Sequence, residues 1–503
     1  MKNESRAKGV MLSYITTAVR TVSRLLLTPL YLRFLGVEEY GFYQYVFSIA
    51  VYATILDFGI SSVINKFGIE CRERNDKAGE ENVMFYTLVF AAGAVCLIGL
   101  MGLVVGIAAP TIFGEAVANR LALTRWLLVF MIGELIMLMF QHFFEGVILS
   151  EERYVTHRAV ALAQVILRAL LTIVFLIADM GVMSIALGDF FGVGLCLAYE
   201  IFFCKKKLHL KVRYHGYDPV LIRSIAKLSL ALCLQSVVSY LNSSVNQYVL
   251  GRSLSTAAVT IYSIALTFSS FFDEIPTVIQ RLYLPQVVKL VTSGADGEEL
   301  TDFVIKPGRV QFMLVGGILG AFILFGRQFI AMWSGEETLE AWAVALFLMV
   351  PSVLPLIQNV CLSILTAMNK RMFRSYTMFG IAVVNLIIAV ILVRNIGVMG
   401  AAIANAVSLI LGNNVAMNIY YKRVIRINVG RLFKSIFKGI LPCSILATVL
   451  CAPLLLVNAK GLVWFVVQCG IFCVVYAILL LLLGVNQEEK AQVFALVRKF
   501  KRK

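Results

Sequence analysis

The chain between Gly9 and Gly484 consists of about fourteen apolar stretches of 20–30 residues, separated by short polar segments. Each stretch is long enough to cross roughly 30 Å of hydrocarbon at about 1.5 Å per helical residue. Only 15% of the residues are charged and 60% are hydrophobic, so a water-soluble fold could not bury the apolar surface. Because backbone polar groups must be satisfied within a bilayer, we expect an all-α integral membrane protein.

The sequence predicts about fourteen transmembrane helices. Several stretches exceed the length of an untilted span, which indicates tilt or extension beyond the bilayer. The predicted spans cover residues 10–33, 40–65, 83–109, 120–149, 157–179, 181–203, 219–250, 257–283, 302–331, 339–368, 374–394, 399–421, 431–457 and 460–484.

The positive charges alternate along the chain. The formal net charge is +16, and most of the 45 lysines and arginines lie in the N-terminus and in every second loop. This alternation is the usual topology signal of a multi-pass membrane protein and predicts that both termini are cytoplasmic. The basic excess therefore requires no nucleic-acid partner, although contacts with anionic membrane lipids are expected.

The chain carries no recognisable catalytic or cofactor motif. It contains no phosphate-binding loop, no zinc-protease motif and no serine-hydrolase motif with suitable partners. The ten cysteines show no metal-ligand spacing. We therefore expect a protein that is not an enzyme and that has no metal site and no cofactor.

An internal repeat organises the chain. When the sequence is shifted by about 215 residues, Leu35-Gly36 falls on Leu250-Gly251 and Gly181-Val182-Met183 falls on Gly397-Val398-Met399. With one residue of slippage Asp57 also falls on Asp273. The shift equals six predicted spans, an even number, so both copies have the same orientation in the membrane. This arrangement is typical of parallel-repeat transporters with a pseudo-two-fold axis along the membrane normal.

The repeat predicts three regions. Residues 1–210 form an N-lobe of helices 1–6, and residues 211–425 form a C-lobe of helices 7–12. Residues 426–503 add two helices and a basic cytoplasmic tail. Two pseudo-symmetric six-helix lobes favour alternating access across a central interface.

The N-terminal motifs resemble a known family. They are SRLLLTPLY at Ser23–Tyr31, LGVEEYG at Leu35–Gly41 and LDFGI at Leu56–Ile60. The chain resembles polysaccharide-repeat flippases of the Wzx type, which handle O-antigen or exopolysaccharide units. These flippases belong to the multidrug/oligosaccharidyl-lipid/polysaccharide exporter superfamily, together with the lipid II flippase and the MATE exporters. The two additional C-terminal spans resemble the flippases rather than the twelve-span MATE exporters.

The resemblance implies a substrate and a direction of transport. Such families carry a polyprenyl-pyrophosphate-linked oligosaccharide from the cytoplasmic to the outer leaflet by alternating access, for cell-surface polysaccharide biosynthesis. Membrane lipids, a polymerase and other assembly proteins are the implied partners. The alternative is a cation-coupled multidrug or small-molecule exporter of the MATE type, which favours acidic residues in the cavity.

Charged residues within the predicted spans are candidate substrate contacts, because such charges are expensive in a bilayer. Arg20 and Arg24 lie four residues apart on one helical face, and Asp57 lies at a similar depth. One interpretation is a structural Arg20–Asp57 ion pair. The other is that the arginines face the central cavity and bind a pyrophosphate bidentately. Arg168, in the middle of span 5, either pairs with Glu134 or contacts the ligand.

In the second half of the chain, amides replace the arginines. Span 7 carries Gln235, Asn242 and Asn246, which suit sugar hydroxyls but are as typical of interhelical hydrogen bonds. Asp273, shortly before Pro276, marks a predicted kink in span 8.

Overall fold

The computed structural model describes residues 2–368, 370, 372–457, 461–487 and 489–490. The side chains of residues 2–7, 10, 231, 234, 235 and 238–243 lie outside that description. The described residues are mostly helical and include no strand, and the chain divides into two compact units, residues 1–260 and residues 261–503. The predicted all-α fold is confirmed.

The first unit contains nine complete α-helices and the start of a tenth, with a 3-10 segment at Val51–Asp57 between the first two. These are α1 (Lys2–Ala50), α2 (Ile60–Glu73), α3 (Lys77–Ile107), α4 (Ala109–Phe113), α5 (Glu115–Ala118), α6 (Leu121–Ser150), α7 (Tyr154–Ile177), α8 (Met183–Lys206), α9 (Pro219–Ser253) and α10 (Thr256–Thr292).

The second unit continues α10 and contains nine further α-helices, with a π-helical stretch at Ile410–Ala416. These are α11 (Gly297–Ser334), α12 (Glu340–Ile357), α13 (Asn359–Ala367), α14 (Met372–Ile396), α15 (Val398–Leu409), α16 (Met417–Val424), α17 (Val429–Phe437), α18 (Ile440–Cys451) and α19 (Leu462–Leu479).

Eleven helical stretches of the described residues are long and apolar enough to cross a membrane. One of them, Met11–Glu73, covers the first two predicted spans. The long helices α9 and α10 coincide with predicted spans 7 and 8 and are not among the eleven. The count of fourteen spans and the division into lobes at residue 210 stay predictions.

The LGVEEYG motif forms the turn between the first two predicted spans. Gly36 interrupts α1 with φ 79° and ψ 174°, a conformation that a residue with a Cβ rarely adopts. Gly41 lies against the start of α10, where an added Cβ would approach the Thr260 side chain to 2.6 Å. Thr260 Oγ1 also donates a hydrogen bond to the Val37 carbonyl at 2.6 Å. The two glycines therefore provide a sharp turn and a close helix contact.

The LDFGI motif interrupts the second predicted span. The 3-10 segment ends at Asp57, and both Phe58 (φ 50°) and Gly59 (φ 62°) have left-handed backbone conformations before α2 begins. Predicted span 2 is therefore two helical pieces. A 3-10 turn holds about three residues instead of 3.6, so over Val51–Asp57 the helical face rotates by about 120°.

The internal repeat has a structural counterpart. The repeat aligns Gly181 (φ 55°) with Gly397 (φ 65°). Gly181 lies just before α8, and Gly397 lies just before α15, at the equivalent place in the second copy. Both glycines have a left-handed φ, which explains why glycine occurs in both copies.

Helix α10 continues through Pro276, where the sequence predicts a kink, whereas α12 ends shortly after Pro351 and Pro355. Pro355 has no N–H to donate to the carbonyl of Pro351, four residues earlier, and the Asn414 side chain donates to that carbonyl at 3.2 Å. Helix α12 ends at Ile357, and α13 follows after Gln358. Asn414, one of the amides in predicted span 12, therefore stabilises an interhelical contact.

The C-terminal helices differ from predicted span 13, residues 431–457. Gly439, with φ 82°, separates the short helix α17 from α18, so the apolar helix begins at Ile440. Most of the predicted basic tail, residue 488 and residues 491–503, lies outside the described residues.

Candidate functional site

Arg168 and Asp189 form an ion pair inside the first unit. Arg168, on α7, donates from Nη2 to Asp189 Oδ2 at 2.6 Å, and its Nε contacts Oδ1 of the same carboxylate. The Asp189 side chain, on α8, is 2% exposed, whereas that of Arg168 is 51% exposed. The carboxylate of the pair is therefore buried, whereas about half of the arginine side chain is exposed.

Two glycines of α8 bring this helix close to α7. An added Cβ at Gly188 would lie 2.9 Å from the Thr172 backbone nitrogen, and one at Gly192 would lie 3.3 Å from the backbone of Arg168. Gly188 and Gly192 are four residues apart, the small-xxx-small spacing that lets membrane helices approach closely. Asp189 follows the first of these glycines, so the close approach places its short side chain against Arg168.

Three buried tyrosines of α1 surround the pair. The Tyr43 hydroxyl donates to Asp189 Oδ2 at 3.3 Å. The rings of Tyr31 and Tyr40 stack with centroids 5.7 Å apart, and Gln44 Nε2 donates to the Tyr40 hydroxyl at 2.8 Å. Helix α1 therefore contributes an aromatic and hydroxyl-bearing surface to the site.

Arg24 joins the same group of residues. Both Arg24 and Arg168 lie close enough to Tyr40 to interact with it electrostatically. Arg24 is exposed, and so is Arg20, one helical turn earlier on α1. We define the arginine–tyrosine cluster as Arg24, Tyr31, Tyr40, Tyr43, Arg168 and Asp189.

The predicted ion pair between Arg168 and Glu134 is wrong, because Arg168 pairs with a different carboxylate. Glu134, on α6, is near enough to act electrostatically on both Arg168 and Asp189, but the ion pair forms with Asp189. The candidates predicted from the sequence did not include Asp189. An aspartate within an apolar span and beside a Gly-xxx-Gly pattern nevertheless indicates a buried charge at a close helix contact.

The predicted Arg20–Asp57 ion pair is also wrong. Oδ1 of Asp57 lies 2.8 Å from Nδ1 of His142, which is on α6. Arg20 and Asp57 were expected to pair because they lie at a similar depth in the first two spans. The 3-10 segment and the break at Phe58 change the direction in which the Asp57 side chain points. A histidine within an apolar span was the missed signal.

Further acidic and histidine side chains lie near Asp57. Glu145 acts electrostatically on both Asp57 and His142, and its Oε1 lies 3.7 Å from Nδ1 of His157. Glu200, on α8, lies near enough to Glu145 to interact with it. We define the carboxyl cluster as Asp57, His142, Glu145, His157 and Glu200. In the described part of the chain, no group of three or more His, Cys, Asp or Glu side chains could hold a metal ion.

The remaining candidate residues lie elsewhere. The side chains of Gln235 and Asn242 are outside the described residues. Asn246, in the first unit, is buried at 1% exposure and is not accessible to a ligand in this conformation. Asp273, in the second unit, is partly buried, and its Oδ1 has no hydrogen-bond partner among the described residues.

A separate groove of about 610 Å³ lies between α3 and α6. Its walls combine glycines with aliphatic side chains, and Arg125 is its charged residue. Such a lining suits hydrocarbon and offers little to a polar headgroup.

The arginine–tyrosine cluster has the chemistry to bind an anionic group. Arg168 is oriented by Asp189 and keeps half of its side chain open, and Arg24 is exposed nearby. Guanidinium groups bind phosphate oxygens bidentately, and the buried tyrosines pack beside the two arginines.

A family model described as polysaccharide biosynthesis protein matches residues 7–286. The chain belongs to this polysaccharide biosynthesis protein family. The matched region includes α1 to α9 and therefore every residue of both clusters.

Curated relatives extend the match. EpsK of Bacillus subtilis strain 168, described as an uncharacterized membrane protein, is 23% identical over 499 residues, which cover 94% of each chain. AglR of Haloferax volcanii, described as a probable flippase, is 26% identical over 181 residues. That region covers 35% of this chain and 37% of AglR, so the chain matches little more than a third of that relative.

Solved structures show the fold of this family member. The lipid II flippase MurJ in an inward closed conformation superposes with a TM-score of 0.71 at 16% identity, covering 93% of this chain and 98% of MurJ. An inward-facing MATE multidrug transporter gives a TM-score of 0.57 at 16% identity, covering 81% of this chain and 95% of that protein. The predicted membership of a polysaccharide biosynthesis family is confirmed by the family model, and the solved structures show that the chain shares its fold with MurJ and with the MATE transporter.

Proposed function

We propose that the protein moves a polyprenyl-pyrophosphate-linked oligosaccharide from the cytoplasmic to the outer leaflet of a bacterial inner membrane. The observation that supports this substrate best is the half-open guanidinium of Arg168, oriented by a buried aspartate and located with Arg24 around Tyr40. A pyrophosphate carries the charge and the oxygen geometry that two arginines bind best. Membership of the polysaccharide biosynthesis family supports an oligosaccharide as the attached group.

The cluster would act by binding, without covalent chemistry. Arg168 and Arg24 hold the pyrophosphate, and the hydroxyl-bearing surface of Tyr31 and Tyr40 lies beside it. The oligosaccharide crosses within the protein while the polyprenyl chain stays in the hydrocarbon. Alternating access then exposes the same cationic surface first to one leaflet and then to the other.

Arg24 provides the direct test, because it is exposed on α1 and its removal leaves the Arg168–Asp189 pair intact. In a strain whose own gene is deleted, Arg24→Ala should fail to restore surface polysaccharide, while lipid-linked oligosaccharide accumulates. Arg24→Lys should restore part of the export, because an ammonium keeps the charge but loses the bidentate geometry.

The control for this experiment is Arg33→Ala, which removes another exposed arginine of α1. All three variants should reach normal membrane levels and keep normal thermal stability in detergent. Full polysaccharide export by Arg24→Ala at normal protein level would remove Arg24 from the proposed site.

The proposed orientation predicts that the N-terminus and the α8–α9 connection are cytoplasmic. Lys207→Cys, in that connection, should resist an impermeant thiol reagent in intact cells, whereas Ala118→Cys, on the opposite side, should react. Both positions are exposed, unlike the native Cys204, which is fully buried and cannot report on topology. The background should lack the native cysteines. Reaction of Lys207→Cys in intact cells would reverse the proposed orientation.

The alternative function, cation-coupled export of small molecules, is consistent with the fold shared with the MATE transporter. The same deletion strain separates the two. A flippase should leave drug susceptibility unchanged, whereas a drug exporter should leave surface polysaccharide unchanged.

A further inference from the structure

Glu200 is a buried carboxyl group. Among the described residues it has no basic or histidine partner of the kind that Asp57 and Asp189 have. Asp57 contacts His142, and Asp189 contacts Arg168. Glu200 is 0% exposed, and neither of its carboxyl oxygens has a hydrogen-bond partner among the described residues. The candidate site above does not use it.

Among the residues that the structure describes, no positive charge acts on Glu200. The charged neighbour that acts on Glu200 is Glu145, which has the same sign. Gln141 is near enough to offer Glu200 the second N–H of its Nε2 group, whose other N–H donates to Gln164 Oε1 at 3.1 Å. The Oε1 atom of Gln141 is buried and has no donor among the described residues. This pocket therefore holds more hydrogen-bond acceptors than donors.

The helices packed around Glu200 contribute the other titratable and charged groups. Its own helix, α8, places Cys196 and Cys204 one turn away on either side. Helix α7 contributes His157 and Arg158, but Arg158 acts on His157 and Glu145.

Asp57, from the 3-10 segment, and His142, from α6, complete the surroundings. These two act on one another and on Glu145. Among these described residues, Arg158 and the imidazole of His142 thus act on groups other than Glu200.

We propose that Glu200 is a proton-binding site, where the carboxyl group holds a proton in this conformation. An ionised carboxylate that is fully buried, unpaired and next to another carboxylate is strongly unfavourable. A proton removes the charge and converts one excess acceptor into a donor. A proton fits better than a metal ion, because the described residues provide no group of three metal-ligating side chains here.

Glu145 and His157 form the exchange path for this proton. Glu145 lies between Glu200 and His157, and its side chain is 21% exposed while that of His157 is 12% exposed. Both residues lie near the α6–α7 connection, which the proposed topology makes cytoplasmic. The proton therefore has a short route of titratable groups to one face of the membrane. The role of this proton in driving transport rests on the proposed function, whereas proton binding at Glu200 does not.

Infrared spectroscopy of the purified protein tests proton binding without any transport assay. At neutral pH the wild type should show the C=O stretch of a protonated carboxylic acid, and Glu200→Gln should lose that band. Glu70→Gln, which replaces an exposed carboxylate on α2, should retain it. A wild-type spectrum at neutral pH without a protonated-carboxyl band overturns the proposal even if Glu200→Gln does not fold. A folded Glu200→Gln protein whose band keeps the full wild-type intensity overturns it as well.

Reconstituted vesicles test the coupling. The probe is the lipid-linked oligosaccharide extracted from the deletion strain, and the imposed gradient is one pH unit. Each coupled proton should shift the distribution of the probe between leaflets by up to about tenfold. Glu200→Gln should remove this dependence, while Glu70→Gln should keep it. If the wild type moves no probe, the proposed function fails, and the infrared result still decides the protonation of Glu200. Gradient-dependent transport by Glu200→Gln would exclude Glu200 from the coupling.

Discussion

Arg168→Ala is expected to abolish polysaccharide export and also to lower the thermal stability of the protein. The substitution removes the guanidinium that the proposed pyrophosphate site needs. It also leaves Asp189, 2% exposed, without its basic partner. Breaking a buried ion pair on one side costs about 3–5 kcal/mol, and we expect the lower end because half of the Arg168 side chain is exposed.

A double variant separates the two roles of Arg168. Arg168→Ala combined with Asp189→Ala removes the unpaired carboxylate, so it should regain much of the lost thermal stability. Export should stay absent, because the guanidinium is still missing. Complementation of the deletion strain and thermal unfolding in detergent measure the two effects. Export restored by the double variant would show that Arg168 serves only to neutralise Asp189.

Arg309→Met should produce the largest loss of stability, by about 3–5 kcal/mol. The Arg309 side chain is 4% exposed, and its guanidinium uses all of its nitrogens. Its Nε and Nη2 donate to the Glu489 carboxylate at 2.7 and 3.1 Å. Its Nη1 donates to the carbonyls of Ser435 and Lys438, and Nη2 also donates to the carbonyl of Gly484 at 2.7 Å. One side chain thus joins α11 to three C-terminal segments.

Methionine keeps the length and apolar character of the arginine stem but leaves a carboxylate and three carbonyls without these donors. Thermal unfolding in detergent should therefore begin at a clearly lower temperature. Arg327→Met, which replaces an exposed arginine of the same helix, is the matched control and should have little effect. Equal unfolding temperatures for Arg309→Met and Arg327→Met would show that the C-terminal helices do not depend on Arg309.

The two clusters of the first unit differ in a way that separates their roles. In the arginine–tyrosine cluster the Asp189 carboxylate is buried and the Arg168 side chain is half exposed, which favours an anionic ligand. In the carboxyl cluster Glu200 is fully buried and the cations are engaged elsewhere, which favours a proton. The first cluster therefore supports the proposed pyrophosphate site, and the second supports the proposed proton site.

The sequence by itself was sufficient for the class of protein, its approximate helices and its family. Apolar length determines which segments can span a bilayer, since each unsatisfied backbone group in lipid is costly. The LGVEEYG and LDFGI motifs carried the family resemblance, but the break that LDFGI makes in predicted span 2 was not predicted. Arg24 and Arg168 were recognisable as candidates because a charge within an apolar span needs a specific environment.

Only the tertiary structure decided which charges meet. Depth in the membrane follows from residue counting, but the direction of a side chain depends on helix rotation and on breaks such as the 3-10 segment before Asp57. Asp57 therefore meets His142 rather than Arg20, and Arg168 meets Asp189 rather than Glu134. These partners lie on different helices, and their contacts result from packing between helices, which hydropathy along a single chain does not encode.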